Sequence, residues 1–301
     1  MSAAPSSGRA ARAEWARRPE RGNPLLIRFM VWFSRRLGRA PARVLLRVGT
    51  AYFFATARAA RRASREFLRR CLGREPTLAE RFGLFLAFAS TVHDRVFFLE
   101  GRFDLFDIAI HGNELFDERG AILMGAHLGS FEAARACGRS RRAIAMAMYE
   151  DNARKVQSAL AAIAPELERD IVPLGRIDSM LRLEERLEAG ALVGVLADRT
   201  LGEEPVLELP FLGAPAPFPT GPMRMAAALR ARVIFMAGLY RGANRYEIRF
   251  EPLADFSALE GLPRAGREAR VNEAVARYAE CLERHCRLAP DNFFNFHRFW
   301  R

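Results

Sequence analysis

Apolar positions recur at two different periods along this chain, and the change of period divides it. From residue 24 to about 110 the spacing is helical. Thr77 precedes a run, LAERFGLFLAFASTVHDRVFFL, in which Phe82, Phe85, Leu86, Ala89 and Val92 recur at helical spacing, as on one apolar helix face with Thr77 as its cap. Earlier, Val44, Leu45, Val48, Tyr52 and Phe53 keep the same spacing beside arginines. Beyond 110, short apolar runs alternate with helical stretches. The runs are Ala121–Gly125, Ala143–Met148, Ile171–Pro173, Leu192–Ala197, Val206–Leu209, Val233–Leu239 and Tyr246–Phe250, with helices expected near 130–138, 152–164, 178–189, 220–230 and 267–287. Such alternation predicts an α/β fold, a mixed and mostly parallel sheet flanked by helices. The helical stretch before it predicts an N-terminal amphipathic layer. Three parts are therefore expected: a disordered basic tail over 1–23, a helical region over 24–110, and an α/β domain over 111–301.

Composition narrows the partners. The 301 residues are 50% hydrophobic and 27% charged, too apolar for a disordered chain. The net charge of +12 is unevenly placed: residues 1–75 hold 18 arginines and four acids, and the remaining 226 sum to −2. A body without net basicity argues against a nucleic-acid grip. Lys155 is the single lysine, so the bias toward arginine reads as compositional. Cys71, Cys137, Cys281 and Cys286 form no CxxC pair and no zinc spacing, so packed thiols and no metal are expected.

The N-terminal layer reads as built for a bilayer surface. No secretory signal is evident. The stretch PLLIRFMVWFSRRL, Pro24 to Leu37, is broken by Arg28, Arg35 and Arg36, and Val48 to Ala57 gives only ten residues, against the roughly 20 needed to span. Leu25, Leu26, Phe29, Met30, Trp32 and Phe33 set apolar and aromatic groups beside these arginines. Basic amphipathic helices of this kind lie among lipid headgroups, with arginine stems reaching toward phosphates. A helical layer packed on the body is the plainer alternative.

The most informative stretch is AILMGAHLGSFEAARAC, Ala121 to Cys137. A buried strand ends at Gly125-Ala126 and His127 follows, at the strand end where open α/β sheets place ligands. Ser130 is placed to cap the next helix and Glu132 falls in its first turn. His-x4-Glu sets an imidazole near a carboxylate that can accept one ring proton, which leaves the other nitrogen as a base. Other chemistries lack their residues. The spacing is not HExxH, Ser130 does not sit in GxSxG, no Walker loop occurs, and Gly238 to Gly242 is no dinucleotide fingerprint. His93, His111, His285 and His297 lack acids at comparable corners and read as surface or packing.

Several segments together resemble the lauroyl/myristoyl acyltransferases of lipid A synthesis, a branch of the lysophospholipid acyltransferase superfamily. These are GAHLGSFEAA, MYEDNARKVQSAL, EAGALVGVLADRTLG, VLELPFLGAPAPFPTGPMRMAAALRARVIF and the closing NFFNFHRFW, in order over about 24–301. The chain departs from that pattern at Arg199, where glutamine or histidine is more usual, and in the strand Val233–Leu239, which lacks a customary proline. An arginine held by some members corresponds to Arg169 or Arg176. The resemblance implies O-acyl transfer from a thioester on acyl carrier protein or coenzyme A to a hydroxyl of a lipid or glycolipid. His127 is then the base and Glu132 its orienting acid. Asp198 and Arg199 would orient the site or the acceptor, and the Thr220-Gly221 turn would offer oxyanion donors. No cofactor is implied. The expected place is the cytoplasmic face of a bacterial inner membrane, peripheral or shallowly anchored. A catalytically silent lipid-binding relative and a thioester hydrolase are the alternatives.

Overall fold

A computed structural model describes residues 32–116, 119–134, 144–149, 171–175, 178–200, 204–259 and 261–300. After a helical segment over 32–37 come α1 (Arg39–Thr56), α2 (Arg58–Leu72) and α3 (Leu78–Leu99). The α/β part follows, with β1 (Asp107–His111), β2 (Ala121–Gly125), β3 (Ile144–Tyr149), β4 (Ile171–Leu174), α4 (Ser179–Glu188) and β5 (Leu192–Leu196). It continues through β6 (Val206–Phe211), β7 (Ala214–Pro219), α5 (Gly221–Ala228), β8 (Arg232–Tyr240), β9 (Arg245–Asp255) and α6 (Arg264–Leu288). The readings of 1–23, of the helix 152–164 and of the 135–138 part of the helix 130–138 lie outside the described residues, as do Cys137, Lys155, Arg169 and Arg176.

Seven strands form one sheet in the order β1-β9-β8-β2-β5-β3-β4. Every neighbouring pair is parallel except β8 with β9. The mixed, mostly parallel sheet expected from the alternation is therefore present. Its central strand β2 is buried at all five positions, and its side chains divide by the period of two. Ile122 and Met124 join the core under α6 and α2, with Val271, Val275, Leu282 and Phe67. Ala121 and Leu123 join the core under α3, with Phe97 and Phe98. Both faces are covered, as parallel sheets require.

Two strands escape the sequence pattern. The first, β1, falls in the stretch read as helical, because its positions alternate only between exposed and half-buried. The second, β7, reads APAPFP. Its prolines alternate, and proline cannot donate to a ladder, so it is confined to a separate two-stranded hairpin with β6.

The cap predicted for α3 forms in full. Thr77 Oγ1 accepts from the Glu80 backbone N–H, and the Glu80 carboxylate accepts from the Thr77 N–H at 2.7 Å, satisfying two donors of the first turn. Among the described residues α3 is the helix long and apolar enough to cross a membrane, but 56% of its apolar window is buried within the protein. It carries Asp94, which is 0% exposed and bound by both Arg39 and Tyr246. It is a core helix.

Candidate active site

The site grows from the register of two neighbouring strands. β2 and β5 run parallel with Gly125 opposite Leu196, and Ala197 N–H donates to the Gly125 carbonyl at 3.0 Å. Two residues beyond that register pair, His127 stands opposite Asp198. The imidazole Nδ1 lies 2.9 and 3.1 Å from the two Asp198 oxygens, and the His127 backbone N–H donates to Asp198 Oδ1 at 3.1 Å. The Asp198 side chain is 2% exposed, whereas that of His127 is 34% exposed.

This corrects the pairing expected from spacing. The carboxylate on the ring is Asp198, not Glu132. Residues 132–134 form a short 3₁₀ turn, and Glu132 is directed to α3, where its Oε1 lies 2.5 Å from Arg95 Nη2. Its other oxygen accepts from Ser130 Oγ at 3.3 Å. Ser130 caps the turn as expected, accepting from the Ala133 N–H.

The electrostatics follow from burial and neighbours. Burial works to raise the Asp198 carboxyl, but the adjoining imidazole, Arg199 and the His127 N–H outweigh it and hold the group at about 2. His127 is lowered below its ordinary 6.5, first by burial and then by Arg199 and Arg95, against the pull of Asp198. An ionised Asp198 is acceptor-only, so Nδ1 carries the ring hydrogen and Nε2 keeps a lone pair. Among the described residues Nε2 has no hydrogen-bond partner.

The turn after His127 is clamped by distant backbone. Gly129 N–H donates to the Asn292 carbonyl at 2.9 Å, Ser130 N–H to Gly238 at 2.7 Å, and Phe294 N–H to the His127 carbonyl at 2.8 Å. Gly129 has φ of 68°, and a Cβ there would lie 2.0 Å from the Gly238 oxygen, so only glycine fits. Gly194 gives the same kind of room to Phe131, whose ring lies 1.9 Å from where a Cβ would stand. The Asn292 side chain accepts from the Tyr240 N–H and donates to the Tyr240 carbonyl, fixing the C-terminal segment to the end of β8. Arg199 Nη2 donates to the Phe294 carbonyl at 3.0 Å, and its Nε lies 3.7 Å from Asp198. Beneath, Tyr278 donates to the Gly125 carbonyl at 2.9 Å.

Residues 16–301 match the family described as bacterial lipid A biosynthesis acyltransferase. The chain belongs to that family. A similar solved structure is the 1-acyl-sn-glycerophosphate (LPA) acyltransferase PlsC from Thermotoga maritima, at 16% identity and a TM-score of 0.38, covering 80% of this chain and 97% of that one. No curated protein matches the sequence. The protein is thus an acyltransferase by its family.

In this acyltransferase the predicted residues separate into two places. His127, Asp198 and Arg199 meet at one strand end, with Glu132 on the same turn but facing Arg95. Thr220 and Gly221 begin α5. The bonds of Thr220 run to the Pro205 carbonyl and from Arg224 Nε at 3.1 Å, not to His127 or Asp198. Sequence reasoning missed Arg95, Tyr278, Asn292 and Phe294. The closing NFFNFHRFW resemblance was the one signal that touched the last two. Three of the remaining four histidines meet acids after all, from neighbouring residues or other elements: His93 with Asp94, His111 with Glu247, His285 with Glu251, at 3.3–3.4 Å. His93 and His285 are buried packing residues, and His111 is on the surface.

Proposed function

We propose that this acyltransferase moves a fatty acyl group from a thioester, on acyl carrier protein or coenzyme A, to a hydroxyl of a lipid or glycolipid acceptor in lipid A-type biosynthesis. It would act at the cytoplasmic face of a bacterial inner membrane. The observation that carries the reading is the His127–Asp198 pair, with Nδ1 at 2.9 Å from a buried carboxylate and the ring still 34% exposed.

An alcohol is a weak nucleophile at neutral pH. His127 Nε2 takes its proton as the oxygen attacks the thioester carbon. The tetrahedral intermediate then collapses, the C–S bond breaks, and the imidazolium returns the proton to the departing sulfur. Asp198 holds the tautomer and stabilises the imidazolium, the task first given to Glu132. Positioned base catalysis of this kind is worth about 10²–10⁴-fold. The oxyanion requires fixed donors. The Thr220 N–H expected for that task already donates to the Pro205 carbonyl at 3.0 Å, so we do not assign the task to that turn.

The test supplies labelled acyl donor with and without a lipid A precursor as acceptor. Acyl transfer to the lipid, lost in His127→Ala, is the expected result. Free fatty acid from the parent chain would favour a hydrolase, and no turnover with retained lipid binding would favour a silent relative.

A further inference from the structure

Strand β8 outlasts its neighbour. β2 pairs with it from Ala121 opposite Arg232 to Met124 opposite Phe235, yet β8 runs on to Tyr240. Beyond that ladder its buried edge still carries peptide groups, and each must find a partner. The catalytic turn takes one, where Ser130 N–H donates to the Gly238 carbonyl at 2.7 Å. A side chain takes the next. The Asn292 amide accepts from the Tyr240 N–H at 2.6 Å and donates to the Tyr240 carbonyl at 3.0 Å, so it stands in for a peptide group of the missing strand. It also donates to Asp291 Oδ1 at 2.8 Å, and the residue is 0% exposed. Aspartate there would keep the acceptor and lose the donor. Alanine would lose both.

Pinned in this way, the backbone around Asn292 reaches both members of the catalytic pair. Gly129 N–H donates to the Asn292 carbonyl and Phe294 N–H to the His127 carbonyl, an antiparallel bridge that sets Leu128 against Phe293. The Phe294 carbonyl in turn accepts from Arg199 Nη2 at 3.0 Å, and Arg199 Nε lies 3.7 Å from Asp198. The contacts close a circuit. It runs from His127 through Phe294 and Arg199 to Asp198, and returns across 2.9 Å to His127 Nδ1. The imidazole and its carboxylate stand at the ends of two different strands, and this circuit ties them together from the side away from the ladder.

We infer that Asn292 is a positioning residue for the base, and that residues 292–294 brace His127 and Asp198 against each other. Asn292 fixes the segment to β8, the segment fixes the catalytic turn, and Arg199 carries the constraint across to the end of β5. Arg199 is then a strut between Phe294 and Asp198 rather than a contact for the acceptor. A shift of about 1 Å at a reacting group can cost about 100-fold in rate, which is the scale on which such a brace acts. The inference rests on His127 as the base of the function proposed above, but its first readout needs no substrate.

The experiment follows the His127 tautomer by NMR of the full chain carrying isotope-labelled histidine, with the ring signals assigned by their loss in His127→Ala. The parent should hold the Nδ1–H form. Asn292→Ala should spread the ring over both tautomers and lower kcat by about 10–100-fold, with KM within about twofold of the parent. Asn292→Asp keeps the shape and the bond from the Tyr240 N–H, and should show the same change in weaker form. It decides the matter where Asn292→Ala does not fold. Arg199→Gln should match Asn292→Ala in both readouts, and the two substitutions together should cost less than the product of their separate losses. Trp300→Phe breaks the bond to the Phe211 carbonyl further along the tail. It should lower the thermal midpoint and leave tautomer and kcat as they are. A folded Asn292→Ala that keeps the parent's tautomer would overturn the inference, whatever its turnover. So would a loss of activity carried by KM alone. A parent that holds the tautomer but transfers no acyl group would sink the proposed reaction and leave the brace standing.

Discussion

Two buried aspartates each face a histidine and an arginine, and only one set sits where a substrate could reach it. Asp94 lies mid-helix on α3. Arg39 takes both its oxygens, Tyr246 donates to one at 2.8 Å, and the His93 ring beside it is 4% exposed. Its Nε2 meets Ser34 Oγ at 2.9 Å, so both ring edges face protein. Asp198 lies just past a strand end. It takes the Nδ1 edge of His127 and leaves the other edge toward solvent. The same residue types give a structural latch in one place and a poised base in the other. What separates them is the position of the histidine: inside a helix packed on both sides, or on a turn at the carboxyl end of a parallel strand, where the chain leaves the sheet and opens a crevice.

The largest effect expected is at the base. His127→Ala should cut acyl transfer by about 10²–10⁴-fold, while the thermal midpoint stays near that of the parent. The analogous His93→Ala should leave kcat within a few-fold and lower the midpoint instead. If the two substitutions gave the same profile, the contrast between the sites would be gone.

The next effect ranks the acids. Asp198→Asn removes the acceptor that fixes the Nδ1 tautomer, and should cost about 10²–10³-fold in kcat with little change in KM. Glu132→Gln, which loosens Arg95 rather than the imidazole, should cost less. The reverse ranking would return the orienting task to Glu132. Asp94→Asn comes third on the same scale. Breaking a buried pair costs about 3–5 kcal/mol of stability, read by denaturant titration, and activity per folded molecule should hold.

Why the two acids were hard to rank from sequence is a matter of range. His127 was legible because an apolar run, AILMG, ends two residues before it. Glu132 lies five residues on and its spacing is visible. Asp198 is 71 residues away, and its contact follows from β2 lying beside β5, which no local pattern states. It was found as the end of a buried strand, but its partner was not. The fold divides in the same way. β2, β5 and β8 were legible because strands buried on both faces read as unbroken apolar runs. β1 and β7 were not, since one alternates weakly at the sheet edge and the other is half proline. The inward turn of Arg39 and Arg43 on α1 was also hidden. The spacing of α1 marks an amphipathic helix, but only the location of Asp94 and Tyr240 determines that the arginines turn inward.

The smallest effect is a shift in pH dependence, and it probes the site without removing any of its members. His127 must be neutral to accept a proton, and its pKa is held below 6.5 by burial, Arg199 and Arg95. Transfer should therefore be flat around neutrality and fall as pH drops through that depressed value. The folded protein binds fewer protons than the unfolded chain between that value and 6.5, so this group makes stability rise with pH across the window. Asp198 adds stability that is complete above its ordinary 3.8 and is lost as pH falls toward about 2. Arg95→Gln removes one of the cations acting on the imidazole but touches neither ring nitrogen. The acid limb of kcat/KM should move to higher pH by a fraction of a unit, with the plateau little changed. The Arg39→Gln control alters the other aspartate's partner, so it should lower stability and leave the limb in place. A limb that moved in Arg39→Gln but not in Arg95→Gln would mean that the two clusters are not electrically separate, and that the N-terminal layer, rather than the catalytic turn, sets the charge state of the base.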